Sequence, residues 1–335
     1  MMMNTLRRRL LLAGSVAGLA ACTPLGNTKR SDVNVAALFC GNVNDGGFMQ
    51  AGYEGLMLAQ RKLGVSTYHL DGVANETNAQ IAALEKLAAR RPRLIVAHGG
   101  QNNKAAQQVA AAHPDILFVV TQGSVHAANL SSYDVLQEES AWLAGAYAAM
   151  MTRTKVVAHQ SGIRVPPGLR ARAAYAHGVR TADPSVKLLT NFSGNQDDVA
   201  LADRVARAQA KAGADIIYTM LNSGRSGTTE ACRALGIKEI GNVADWVARD
   251  PAVFIASAYA DVGIGVYEAC KDVANNTFKG GQVFKVGLKN PDAVRLIMAA
   301  DTPAPVRQRI ESYQHQILSG QIKVQTEYNG PEFKI

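Results

Sequence analysis

The strongest constraint on this chain is a repeated alternation of short apolar runs with longer amphipathic stretches. Val35–Phe39, Leu94–Ala97, Ile116–Val120, Asp215–Thr219 and Ala252–Tyr259 are nearly continuous runs of apolar residues. Runs of that length without a polar face read as strands buried on both sides. Between them lie helical stretches, such as 77–89 with Ile81, Leu84, Leu87 and Ala88 on one face, and 200–212. Strands alternating with helices predict parallel sheets covered by helices. The units fall into two sets, one before and one after a helix at 141–151 that is rich in small residues. The chain is therefore read as an α/β protein with two doubly wound, parallel-sheet lobes. Its 335 residues suffice for two cores.

In open α/β sheets, ligands bind at the carboxyl ends of the strands. The first such loop runs from Cys40 to Phe48 and leads into a helix with Tyr53, Leu56, Met57 and Leu63 on one face. It lacks both the GxGxxG spacing and the Lys-Ser/Thr of a phosphate cradle. It offers one aromatic, Phe48, and polar groups on Asn42, Asn44, Asp45 and Gln50. That set suits a flat, uncharged, hydrogen-bonding ligand. Later strand ends bring His98 and Gln101, Gln122, Asn222 and Arg225, Asp245 and Trp246, and Tyr259 toward the same rim.

The amino terminus reads as a targeting segment. Arg7-Arg8-Arg9 precede the apolar run Leu10–Ala17, which is too short to span a bilayer. Leu19-Ala20-Ala21-Cys22 follows and resembles the lipobox of bacterial lipoproteins, in which the peptidase cuts before the cysteine and the thiol carries a lipid. Residues 1–21 are thus expected to be a signal peptide, and 22–32 a polar tether lipidated at Cys22. Of the formal net charge of +8, three charges belong to those arginines. No Lys/Arg run is interleaved with aromatics, which make up only 6% of the chain, so nucleic acid is a poor partner. Cys40, Cys232 and Cys270 are widely spaced and form no zinc pattern; buried free thiols are expected. There is no GxSxG elbow and no HExxH. The acidic pairs Glu138/Glu139 and Asp197/Asp198 have sufficient roles at helix termini. No enzyme, metal or cofactor is expected.

Several segments resemble the basic membrane protein family of bacterial lipoproteins, whose members include purine nucleoside receptors of ABC importers. They are Asp45-Gly46-Gly47-Phe48 with Ala51-Gly52-Tyr53-Glu54-Gly55-Leu56, and His113-Pro114-Asp115-Ile116-Leu117-Phe118. Glu138-Glu139-Ser140-Ala141-Trp142-Leu143-Ala144-Gly145 and Gly213-Ala214-Asp215-Ile216-Ile217 follow, then Val266-Tyr267-Glu268-Ala269 and the tail Ile317–Val324. The resemblance implies a type I periplasmic binding fold with two lobes joined by three crossovers. The expected lobes are 33–137 plus 252–280, and 138–251 plus 281–335. It implies a monomer, lipid-anchored on the periplasmic side of the cell envelope, that serves an ABC permease and ATPase.

The resemblance also implies that Phe48 stacks on a base and that Asp245 meets ribose hydroxyls, with Trp246 as a second stacking face. Three positions depart from the family pattern. Met49 stands where an Asn is usual, Gln122 where an Asp reads the base, and Ala260 where a Lys is expected. A carboxamide both donates and accepts, whereas a carboxylate only accepts, so the edge that is read differs. Purine or pyrimidine nucleobases, nucleosides and riboflavin all stay open as ligands, as does a sensor role in place of import. Replacing Cys22 by Ser is expected to release the protein from membranes, read by fractionation; continued membrane association would discredit the lipobox.

Overall fold

The computed structural model describes residues 33–335; the targeting segment and the whole tether, Cys22 included, lie outside the described residues. The chain opens with β1 (Asn34–Phe39), α1 (Phe48–Leu63), β2 (Ser66–Leu70), α2 (Thr77–Ala88), β3 (Leu94–His98), α3 (Asn103–Ala112), β4 (Leu117–Thr121) and β5 (Leu130–Val135). A second series follows: α4 (Gln137–Met151), β6 (Val156–Ser161), α5 (Pro166–Ala182), β7 (Lys187–Phe192), α6 (Val199–Lys211), β8 (Ile216–Met220), α7 (Arg225–Leu235), β9 (Lys238–Val243), α8 (Trp246–Arg249) and β10 (Phe254–Ala260). The chain ends with α9 (Gly263–Ala274), β11 (Val283–Val286), β12 (Val294–Met298) and α10 (Ala304–Leu318).

Two six-stranded sheets result, ordered β11-β5-β4-β3-β1-β2 and β12-β10-β9-β8-β6-β7. The first is parallel throughout, and the second is parallel except for β12, which runs antiparallel to β10. The apolar runs explain this. Every residue of β3 and β8 is buried, as a strand covered by helices on both faces requires.

The lobes differ from the expected spans in two places. The strand expected in the first lobe, now β10, pairs with β9 and β12 in the second sheet. β11, expected in the second lobe, pairs with β5 in the first. An apolar run marks a buried strand but not the sheet that buries it. Two strands were also hidden. β5 is fully buried yet carries Ser131, Ser132 and Asp134, whose side chains bond to Lys279 O, Val125 O and Arg170. β12 is a short antiparallel edge strand that contains Arg295.

The chain passes between lobes three times: from β5 into α4, from β10 into α9, and from β11 to β12. At the first two passes the next helix packs on the opposite lobe. α4 lies on α5 in the second lobe, and α9 on α1 in the first. Both seams rest on glycine. A Cβ on Gly145 would invade the carbonyl oxygen of Tyr175, and one on Gly178 that of Trp142; Gly55 meets the Gly263 carbonyl in the same way. Around the first seam Trp142, Tyr147, Tyr175 and Tyr218 are wholly buried, with the Tyr175 and Tyr218 rings stacked at 4.8 Å.

No helix among the described residues is long and apolar enough to cross a membrane. Gly145→Ala is expected to destabilise the second lobe by roughly 1–3 kcal/mol through overpacking, although alanine is the better helix former. A fall in the denaturation midpoint checks this; an unchanged or raised midpoint would mean the seam has slack.

Candidate functional site

A cleft of about 600 Å³ lies where the carboxyl ends of the strands of both sheets come together. That is within the usual size of a small-molecule site. The first lobe lines it with Asn42, Asp45, Phe48, Met49, Asn75 and Gln101. Gln137, at the first lobe crossing, adds a carboxamide at the start of α4. The second lobe contributes Ser161, Ile163, Val165 and Pro167 around the start of α5. It also supplies Asn195, Gln196 and Asp197 after β7, Asn222 after β8, and Asn242 and Val243 at the end of β9. No Lys, Arg or His is among the lining residues, and two carboxylates are.

The Phe48 side is built tightly. Asp45 accepts hydrogen bonds from the N–H groups of Gly47 (2.8 Å), Met49 (3.1 Å) and Gln50 (3.1 Å), which caps α1. Burial raises its carboxyl pKa, against those three donors. The Phe48 ring stacks on His98 with centroids 4.4 Å apart. His98 is wholly buried, and burial pulls its pKa down to about 4 while its bond to the Phe48 carbonyl opposes the shift. Because a carbonyl only accepts, neutral His98 donates from Nε2 to Phe48 O (2.9 Å). Its Nδ1 then accepts the Thr121 hydroxyl (2.7 Å). Across the cleft, the Phe48 N–H reaches Asn222 Oδ1 at 3.5 Å.

On the opposite wall a buried ion pair sets Asn242. The Arg225 guanidinium is 3.6 Å from the Glu239 carboxylate and donates to Thr219 Oγ1, Leu221 O and Asn242 Oδ1. Burial pushes both charged groups toward their neutral forms, and each opposes the shift of the other. Val243, the next residue, has φ of +67°, a strained position for a β-branched side chain.

Of the expected site residues, Asp45, Phe48, Met49, Gln101 and Asn222 lie along the cleft. Gln50, Asp245 and Tyr259 line a separate recess of about 180 Å³ that shares Val243 with it. There Asp245 accepts from Ala248 N–H and caps α8. Asn44 is exposed beside the first loop. His98 and Arg225 are buried behind the lining, and Gln122 is buried in the strand-end turn, where its Oε1 takes the Val135 N–H at 2.8 Å. Trp246 is not among the residues lining the cleft: its indole packs on Phe254 at 5.3 Å, donates to Asn242 O and lies against the Arg225 and Arg249 guanidinium groups. Sequence reasoning missed Gln137, Asn242 and the 195–197 turn; the run Ser193-Gly194-Asn195-Gln196, directly after a strand, was an available signal.

Three of the four paired acids have structural roles, while Asp197 lines the cleft. Asp198 caps α6 through Leu201 N–H, Glu138 pairs with Arg170 at 3.1 Å, and Glu139 accepts Leu288 N–H at 2.7 Å. Cys232 and Cys270 are buried free thiols, and Cys40 is a partly buried one. Among the described residues no group of carboxylates, histidines and cysteines could hold a metal.

Two facing α/β lobes with a cleft between their strand ends define the type I solute-binding fold. A family model described as Bmp, the PnrA-like ABC transporter substrate-binding proteins, matches residues 32–329, and the chain belongs to that family. It is 24% identical over 307 residues to the ABC transporter nucleoside-binding protein BmpA of Lactococcus lactis, covering 82% of this chain and 86% of that one. It is 26% identical over 211 residues to the transcriptional activator protein med of Bacillus subtilis, covering 63% of this chain and 65%, just under two thirds, of that one. Among solved structures, an ABC transporter solute-binding protein from Aeropyrum pernix superposes with a TM-score of 0.79 at 21% identity, covering 89% of this chain and 94% of that one. That likeness concerns the fold.

With its native pKa below the unfolded value near 6.5, neutral His98 contributes stability that is full above that value and is lost as pH falls toward 4. Imidazole NMR shifts are expected to show His98 neutral at pH 5; a titration midpoint near 6.5 would contradict its burial beneath Phe48.

Proposed function

We propose that this chain is the ligand-capturing subunit of an ABC importer for an uncharged, planar heterocycle, a purine or pyrimidine nucleobase or nucleoside. The observation that carries the reading is the makeup of the cleft. One aromatic ring, Phe48, sits among carboxamides, and no cationic side chain lines the walls. A phosphate would meet Asp45 and Asp197 with no counter-charge, so nucleotides are disfavoured. A neutral ring would lie on Phe48, which His98 holds from behind. Edge atoms would then meet amide groups, whose unmet hydrogen bonds discriminate between ligands. The name of the Lactococcus lactis relative supports a nucleoside. A sugar would extend toward the recess where Asp245 and Tyr259 stand.

Both walls contribute to the cleft, so a bound ligand favours the closed arrangement by its differential affinity for it. A permease would recognise that closed form. Lipid at Cys22 would hold the domain at the outer face of the cytoplasmic membrane or within the envelope.

Calorimetry against a panel of nucleobases and nucleosides tests the reading, with mass spectrometry of any ligand carried through purification. Phe48→Ala is expected to weaken binding by about 1–3 kcal/mol, the worth of one stacked base, with little change in thermal stability. Unchanged affinity would remove Phe48 from the site, and no binding by any heterocycle would remove the proposal.

A further inference from the structure

Of the eight carboxamides that line the cleft, five have hydrogen-bond partners with a bias that residue names alone do not reveal; Asn75 pairs with the Gln80 amide, and Gln101 and Gln137 carry no side-chain hydrogen bond among the described residues. Asn42 Oδ1 accepts the Asn44 N–H at 2.8 Å. Asn195 Oδ1 accepts the N–H groups of Asp197 and Asp198 at 2.8 and 3.1 Å. Gln196 Oε1 accepts Gly162 N–H at 3.1 Å, and Asn222 Oδ1 faces Phe48 N–H at 3.5 Å. Asn242 Oδ1 accepts the Arg225 guanidinium. In all five the partner is a backbone N–H or a guanidinium, groups that only donate. The oxygen must therefore be the atom that faces it, and flipping the amide would set donor against donor. None of the five NH₂ groups has a partner among the described residues, and all five residues line the cleft. Of the two carboxylates, Asp45 is engaged by three backbone N–H groups, while Asp197 accepts Ser223 N–H at 3.1 Å through Oδ1 alone.

We infer that the cleft is a donor-lined site that selects heterocycles with projecting carbonyl oxygens over those with projecting amino groups. This rests on the heterocycle reading given above and narrows its substrate class. A carbonyl oxygen brings two lone pairs to a wall of N–H₂ groups. An exocyclic amine at the same ring position brings two more donors, which would leave donors unpaired on both sides of a desolvated contact. Arg225 acts here as a positioning residue: buried and paired with Glu239, it holds the Asn242 oxygen on the protein side and leaves its amine for the ligand.

Carbonyl-for-amino pairs test this in calorimetry at neutral pH, using uridine against cytidine and inosine against adenosine. The carbonyl member of at least one pair is expected to bind about tenfold more tightly, the scale of one mismatched polar contact. Equal or tighter binding of the amino member in every pair that binds overturns the inference and leaves the heterocycle reading standing. Failure of all four compounds and their free bases removes both. Asn222→Asp and Asn242→Asp keep an oxygen for Phe48 N–H and Arg225 and replace a donor with an acceptor, and each is checked for an unchanged melting temperature. Loss of the carbonyl preference in either supports the assignment; unchanged preference in both overturns it.

Discussion

Everything in this molecule depends on two helix seams made possible by missing side chains. The carbonyl of Tyr175 occupies the space a Cβ on Gly145 would need, and Gly55 and Gly263 make the equivalent approach between α1 and α9. These contacts let the helix that follows the fifth strand of each sheet settle on the other lobe. The exchange ties the sheets together at their carboxyl edges, and the cleft lies between those edges. The core around the α4–α5 seam holds the largest buried side chains of the second lobe, so the packing that anchors the fold also sets the spacing of the binding walls.

The cleft shows how a protein turns ambivalent groups into directional ones. A carboxamide in water can present either end. Along this cleft, backbone N–H groups at turns and helix starts claim the oxygens, because those N–H groups need acceptors wherever a strand ends. The same turn chemistry that terminates β1 and β7 therefore orients what faces the ligand. Arg225 and Glu239 do the same for Asn242 from within the second lobe. Val243 beside it holds a left-handed backbone that a β-branched residue rarely adopts, which places local strain at the rim of the cleft.

Much of the architecture was legible because buried parallel strands are written as unbroken apolar runs. β1, β3, β4 and β8 could be read directly, and the loop before Phe48 announced itself by its glycines and polar residues. β5 escaped because Ser131, Ser132 and Asp134 are buried with partners that only the tertiary structure supplies. The lobe membership of β10 and β11 was not legible, since hydrophobicity does not name a neighbour. At the site, position along a strand end found Phe48, Gln101 and Asn222, but it could not separate residues that face the cleft from those that support it. His98, Gln122 and Arg225 share the sequence signature of rim residues, yet they are buried with their polar atoms turned to the protein.

The threefold passage of the chain between lobes has a consequence for how the protein is made. The first sheet lacks its last strand until residue 286 has been synthesised, and the second lacks its own until residue 298. α9, which covers α1, arrives after the whole of β10. Neither sheet is therefore complete without residues from the carboxyl-terminal part of the chain. A truncation before β11 would leave an unpaired edge in both sheets at once, at β5 and at β10.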